Sequence, residues 1–294
     1  MRCPFLFRKM KISYGVKMML LAVLTFSMMN VFVKMLPHIP TLEIVFFRAL
    51  VSLILSAIIL MRKRISFWGN NKKVLLLRGI FGTVALSLYF YTLQVMPLAS
   101  AMVIHYMSPI FTAIIASIFL KEHLAARQYF FFLISFIGIV SIKGFDARLD
   151  WMDVAAGVGA AALSGAAYNC IRWLKFTEDS HVIIFYFPLI AMPSTLLLTL
   201  FVYGWVTPGF QDLLLLIAIG VLTQIAQIFL TKAYQSEMAN KVAGITNTGI
   251  IYALGLGWIF FDEVFDWKVI AGMLLVIGGV LANLVFGGKK ELKG

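Results

Sequence analysis

Charge is scarce in this chain. Of its 294 residues only 13% are charged, and acids account for just 13 of them. Soluble domains carry about 25% charged residues, so an ordinary soluble enzyme is excluded. Cysteine is nearly absent. Cys3 lies in the N-terminal segment and Cys170 in an apolar run, which leaves no disulfide framework and no paired-thiol motif. The four histidines form no H-E-x-x-H, and the sequence has no G-x-S-x-G, P-loop or G-x-G-x-x-G. No catalytic group, cofactor or metal site is expected.

Apolar residues fill the space instead, making up 62% of the chain with a mean hydropathy of +0.95. A membrane helix needs about 20 mainly apolar residues. Ten such runs can be read, at 18–36, 42–61, 74–96, 98–120, 128–143, 152–173, 182–203, 213–231, 242–261 and 268–287. They leave no room for a soluble catalytic or DNA-binding domain. The first run follows a basic head (Arg2, Arg8, Lys9, Lys11, Lys17) like that of a signal peptide. It is long, lacks a small-x-small cleavage site near its end and precedes further spans, so it reads as a retained helix.

The net charge of +12 is a topology signal. With the N-terminus placed in the cytoplasm, 19 of the 25 Lys and Arg fall on the cytoplasmic side. Only Lys34, Lys143, Arg148 and Lys268 fall outside, and Arg48 and Arg78 lie within spans. This positive-inside bias predicts both termini in the cytoplasm of a multi-pass inner (plasma) membrane protein. The basic loops can touch anionic lipid heads; no nucleic acid is expected. All six tryptophans fall in connections or near span ends, as in an interfacial aromatic belt.

The second half repeats the first at an offset of about 141. Gly79 matches Gly220, Ala85 matches Ala226, Gln94 matches Gln235, Glu122 matches Glu263 and Gly138 matches Gly279. Each repeat has five spans, an odd number, so the two must have opposite orientation. Inverted repeats mark many secondary transporters, which open on alternate sides by exchanging two pseudo-symmetric shapes.

The stretch Arg78-Gly79, Gly82, Tyr89-Phe90-Tyr91, Met96-Pro97-Leu98-Ala99, Ser108-Pro109, Leu120-Lys121-Glu122 and Gly138 resembles the EamA-type permeases of the drug/metabolite transporter superfamily. The resemblance covers nearly the whole chain as two EamA-like units. It implies an all-α integral membrane protein of ten transmembrane helices in two inverted five-helix repeats, residues 18–143 and 152–287, between a basic segment 1–17 and a tail 288–294. It also implies a carrier of small metabolites. The second unit departs at Ile250, which stands where the first has Pro109; a kink there would have to come from Gly244 or Gly249.

Small residues at spacing four, such as Gly157, Ala161 and Gly165, predict close helix packing, with dimer contacts the alternative. A monomer or weak homodimer is expected. Ionisable groups in the apolar layer usually line a functional route. Arg48 is the clearest, about 10 Å into its span at 1.5 Å per residue. Arg78 sits nearer a helix end and reads as a snorkelling or helix-pairing group. Asn30 and His105, with Tyr106 beside it, lie at depths similar to Arg48. Asn169 and Asn247 form a second cluster towards the inner side, and Gln224 and Gln227 lie near the middle. Tyr89, Tyr91 and Tyr168 are candidates to stack on a flat ligand. Glu122 and Glu263 read as helix-start anchors. If protons are coupled, His105 and Glu43 are the candidates.

Guanidinium grips carboxylate or phosphate through two parallel hydrogen bonds, and few acids are at hand to neutralise Arg48. The expected substrate is therefore a small anionic or zwitterionic metabolite, bound by Arg48, Asn30, Tyr89, His105, Tyr106, Tyr168, Asn169, Gln227 and Asn247. The alternative is a membrane-embedded enzyme of lipid or isoprenoid metabolism, which would need clustered acids or histidines at one membrane face.

Overall fold

The computed structural model describes residues 13–119, 126–236, 246 and 248–286. Among them every regular element is helical. Helix α1 spans Tyr14–Lys34, α2 Thr41–Lys63, α3 Lys72–Val95, α4 Leu98–His105, α5 Ser108–Phe119, α6 Ala126–Phe145, α7 Trp151–Leu174, α8 Ser180–Leu198, α9 Phe210–Ser236, α10 Gly249–Phe261 and α11 Trp267–Phe286. A π-helical turn, Thr199–Tyr203, extends α8. Eight helices, counting Leu98–Ile118 as one, are long and apolar enough to cross a membrane, and Gly249–Phe261 and Trp267–Asn283 are shorter apolar helices. Residues 1–12 of the basic head, the tail, Lys121, Glu122, His123, Gly244 and Asn247 lie outside the described residues, and Lys17 lies in α1.

The fourth span is two helices because of Pro109. Proline has no N–H to return to the carbonyl four residues back, and its ring clashes with that carbonyl, here that of His105. The chain passes the break through tight turns, with Met107 N–H donating to Ile104 O (3.1 Å) and Ile110 N–H to Met107 O (2.9 Å). In the second unit α10 starts at Gly249 after the turn residue Thr248. That position is 141 beyond Ser108, where α5 starts, and it keeps the register without a proline. A side chain at Gly249 would collide with the Tyr106 hydroxyl, so the break after α4 meets the start of α10 at this glycine.

The helix pairings keep one pattern when the halves are exchanged. Helix α3 packs along α7 as α1 packs along α9, and α2 packs on α9 as α8 packs on α3. The helices α2 and α8, and α6 and α11, pair with their own counterparts. At the α6–α11 crossing the backbones nearly touch. A Cβ on Gly138 would stand 2.7 Å from Val276 N, and one on Gly279 would stand 2.7 Å from Phe131 O. Gln128 also donates to Asn283 across this pair at 3.0 Å.

The outward surface is apolar, as lipid requires. Ile80, Phe130, Leu133, Ile137, Val140 and Leu274 are all exposed. Polar side chains turn inward instead: Asn30, Arg48, Ser52, Arg78 and Gln224 are buried. This inside-out distribution positions the site.

Candidate functional site

A central cavity lies among α1, α2, α3, the α4–α5 break, α7, α8 and α9. It offers about 130 Å³ to the centres of water molecules. One water needs roughly 10–15 Å³ on this measure, so there is room for a small metabolite.

Helical period explains which side chains reach it. Met19, Val23, Phe26 and Asn30 come from one face of α1, and Arg78, Gly82, Leu86 and Tyr89 from one face of α3. Both sets follow the spacing of a helix stripe. On α2, Arg48, Ser52 and Ser56 succeed one another every four residues and face α9. Arg48 Nε donates to Thr223 Oγ1 (2.7 Å), while Ser52 and Ser56 donate to Gln224 Oε1 (2.6 and 3.1 Å). Gln224 is thus a helix-to-helix link, and Arg48 alone of this stripe lines the cavity.

At one end of the cavity, Asn30 Nδ2 donates to the Tyr89 hydroxyl at 2.8 Å. The Tyr89 ring stacks on His105, with centroids 4.1 Å apart and planes 25° from parallel. Asn30 Oδ1 and His105 Nδ1 are buried without a hydrogen-bond partner. Tyr106, Gln227 and Thr246 also line the space, as does Tyr168, which stacks on Tyr234 at 5.7 Å.

The electrostatic feature of the cavity is a pair of arginines. Arg48 is 2% and Arg78 4% exposed. Their guanidinium carbons stand 5.3 and 4.9 Å from the centroid of one ring, Phe187. They are therefore within the sum of those distances, about 10 Å, of each other. At that separation, with an effective dielectric of about 20, two unit charges repel by roughly 1.7 kcal/mol. Among the described residues no Asp or Glu lines the cavity. Among the described residues neither arginine forms an ion pair, the three pairs being Lys34–Glu263, His38–Asp212 and Arg148–Asp146. Arg48 Nη1 and Arg78 Nε have no hydrogen-bond partner. The cavity is thus a cationic, partly aromatic pocket.

This geometry corrects several expectations. Arg78 is not a snorkelling group but a cavity residue; the signal was its place on the same α3 stripe as Gly82 and Tyr89. The expected outer cluster, Asn30, Arg48 and His105, shares one cavity with Tyr168 and Gln227. Asn169 is not in it: its Nδ2 donates to Thr112 O and Gly165 O, both at 3.0 Å, fastening α7 to α5. Tyr91 is exposed and donates to Asp153 (2.8 Å). Glu43 accepts from the Val206 amide (3.1 Å) and does not line the cavity. Phe187 had no distinguishing mark within its apolar run.

Comparisons with known proteins agree with this architecture. The model of the EamA-like transporter family matches twice, over residues 13–143 and 151–285. The pseudopaline exporter CntI of Pseudomonas aeruginosa is 32% identical, covering 91% of this chain and 95% of that protein. Solute carrier family 35 member G1 of Mus musculus is 32% identical, covering 87% of this chain and 74% of that one. An S-adenosylmethionine uptake transporter of Rickettsia prowazekii is 24% identical over 95% of this chain and 94% of its own. A crystal structure 15% identical superposes with a TM-score of 0.66 over 93% of this chain and 97% of that one, which bears on the fold alone. The family and these relatives are transporters, not enzymes. The chain is a multi-pass membrane protein that belongs to the EamA-like transporter family and is a secondary transporter of small metabolites.

Proposed function

We infer that this carrier binds a small anionic or zwitterionic metabolite in the central cavity and moves it by alternating access. One observation carries the reading: two buried guanidiniums face a cavity that no carboxylate lines among the described residues. Unpaired charge in the apolar layer is costly, and a ligand anion would relieve it. The bound molecule would lie against Tyr89 and Tyr106 and reach Asn30, His105, Tyr168 and Gln227. Asn247, outside the described residues, stays a candidate by its match to Tyr106.

Units 18–143 and 152–287 would act as inverted repeats, exchanging shapes to open the cavity on either side. The exchange-invariant helix pairings and the common starting register of α5 and α10 support this. The 19-to-4 division of Lys and Arg supports cytoplasmic termini and an inner (plasma) membrane location. The protein would work among lipids as a monomer or weak homodimer, without nucleic acid. Its relatives include one named for export and one named for uptake, so direction is a property of each member.

The test is counterflow in proteoliposomes across a metabolite panel. The reading predicts saturable exchange of anionic or zwitterionic compounds. Flux that does not saturate would indicate a channel, and exchange confined to cations or neutral compounds would overturn the anion preference.

A further inference from the structure

We propose that Arg48 and Arg78 form a two-point clamp for a metabolite bearing two negative charges, a dicarboxylate or a phosphate monoester. The proposal rests on the cavity being the carrier's binding site. It goes further by assigning each arginine its own share of the ligand's charge.

Four observations converge. Both guanidiniums are more than nine-tenths buried, and each keeps a nitrogen without a partner. Both approach the same Phe187 ring, whose face offers a cation only partial compensation. A single negative charge would neutralise one guanidinium and leave the other's charge uncompensated in the apolar layer. A dianion meets both. Gly82 also makes room for the second arm of the clamp: a Cβ there would collide with Arg78 Nη1 and stand 2.9 Å from the Phe187 ring.

The remaining contacts limit the ligand's shape. Asn30 Oδ1 and His105 Nδ1, buried and without partners, suit a hydroxyl or amine. Met29 and Leu86 line the same space and suit a short carbon skeleton. The ligand is therefore a compact dianion with a hydrogen-bonding group, not a long amphiphile.

The experiment measures thermal unfolding of the full-length purified protein in detergent, since a ligand that binds the native state raises the midpoint. Glutarate and glycerol 3-phosphate serve as dianions, butyrate as a monoanion, glycine as a zwitterion and putrescine as a cation. At equal concentration a dianion should raise the midpoint more than butyrate or glycine. Glutarate alone doing so assigns the dicarboxylate, and glycerol 3-phosphate alone assigns the phosphate monoester. Arg78→Gln should weaken dianion binding by about tenfold or more while leaving the monoanion shift in place. If Arg78→Gln does not fold, Arg78→Lys, which keeps the charge but not the bidentate fork, should still narrow the gap between dianion and monoanion.

Dianions that stabilise no more than butyrate and glycine would overturn the clamp. So would an Arg78 variant with an unchanged dianion shift. If Arg48→Gln abolishes every anion shift and Arg78→Gln abolishes none, the anion-carrier reading stands and only the clamp falls. If neither variant changes any anion shift, both fall.

Discussion

Glu263 Oε1 stands 2.9 Å from Lys34 Nζ and 2.7 Å from the amide nitrogen of Leu98. One carboxylate thus ties the end of α1 to the start of α4 and to the turn after α10. That turn aims it. Asp262 adopts a left-handed conformation (φ 50°), and Glu263 N–H returns to Gly257 O at 3.1 Å, so the chain folds back on the end of α10. Gly257 leaves space for the carboxylate to lie back across α10, since a Cβ there would meet Glu263 Oε2 at 2.6 Å.

Removing one partner of a buried ion pair costs about 3–5 kcal/mol. Here Lys34 keeps a second acceptor, Met96 O at 2.6 Å, so the lower end applies. Glu263→Ala is expected to destabilise the protein by roughly 3 kcal/mol, read as a lower unfolding midpoint. Glu263→Gln, which keeps an acceptor for Leu98, should lose less. Equal midpoints for the parent and Glu263→Ala would mean that the tie contributes nothing.

Neighbouring glycines on α11 should respond differently to alanine. A Cβ on Gly279 meets the α6 backbone, 2.7 Å from Phe131 O and 2.9 Å from Ser135 N, whereas one on Gly278 meets nothing within 4 Å. Gly279→Ala should cost about 1–3 kcal/mol as overpacking. Gly278→Ala should be neutral or slightly stabilising, because alanine favours helix by up to about 1 kcal/mol. Thermal midpoints of the two variants in the same detergent decide it; the reverse order would contradict the α6–α11 crossing.

Gly82→Ala tests the setting of Arg78 without touching charge. The new methyl collides with Arg78 Nη1 and approaches the Phe187 ring, and the flexible arginine gives way more readily than the helix. Counterflow should fall about tenfold, equivalent to roughly 1.4 kcal/mol, with the unfolding midpoint nearly unchanged. Parental transport by this variant would show that the position of Arg78 is unimportant.

Reporter fusions after Gly144 and after Gly294 test the proposed orientation. The first should read outside and the second inside. An inside signal after Gly144, or an outside signal after Gly294, would contradict the ten-span arrangement with cytoplasmic termini.

Much of this architecture was legible in the chain because lipid makes burial simple to read. Long apolar runs became helices, and Pro109 marked the broken one. Arg48 stood out because depth along a span follows from counting residues. Facing was harder. Asn169 adjoins Tyr168, yet one step of about 100° around the helix turns it to α5 instead of the cavity. Arg78 was misread from its distance to the helix end, although Gly82, Leu86 and Tyr89 share its stripe. Phe187 was illegible in principle: it is one aromatic residue among many in an apolar run, and only the packing of α8 against α2 and α3 brings it to both arginines.

The central claim is that Arg48 grips the substrate's negative group, and Arg48→Lys in proteoliposome counterflow tests it most directly. Lysine keeps the positive charge but cannot copy the planar fork or the Nε bond to Thr223. The account predicts a protein that folds and inserts normally and whose saturable exchange of anionic or zwitterionic metabolites falls about tenfold or more. Exchange equal to the parent across the whole panel would contradict it and leave Arg48 a structural residue.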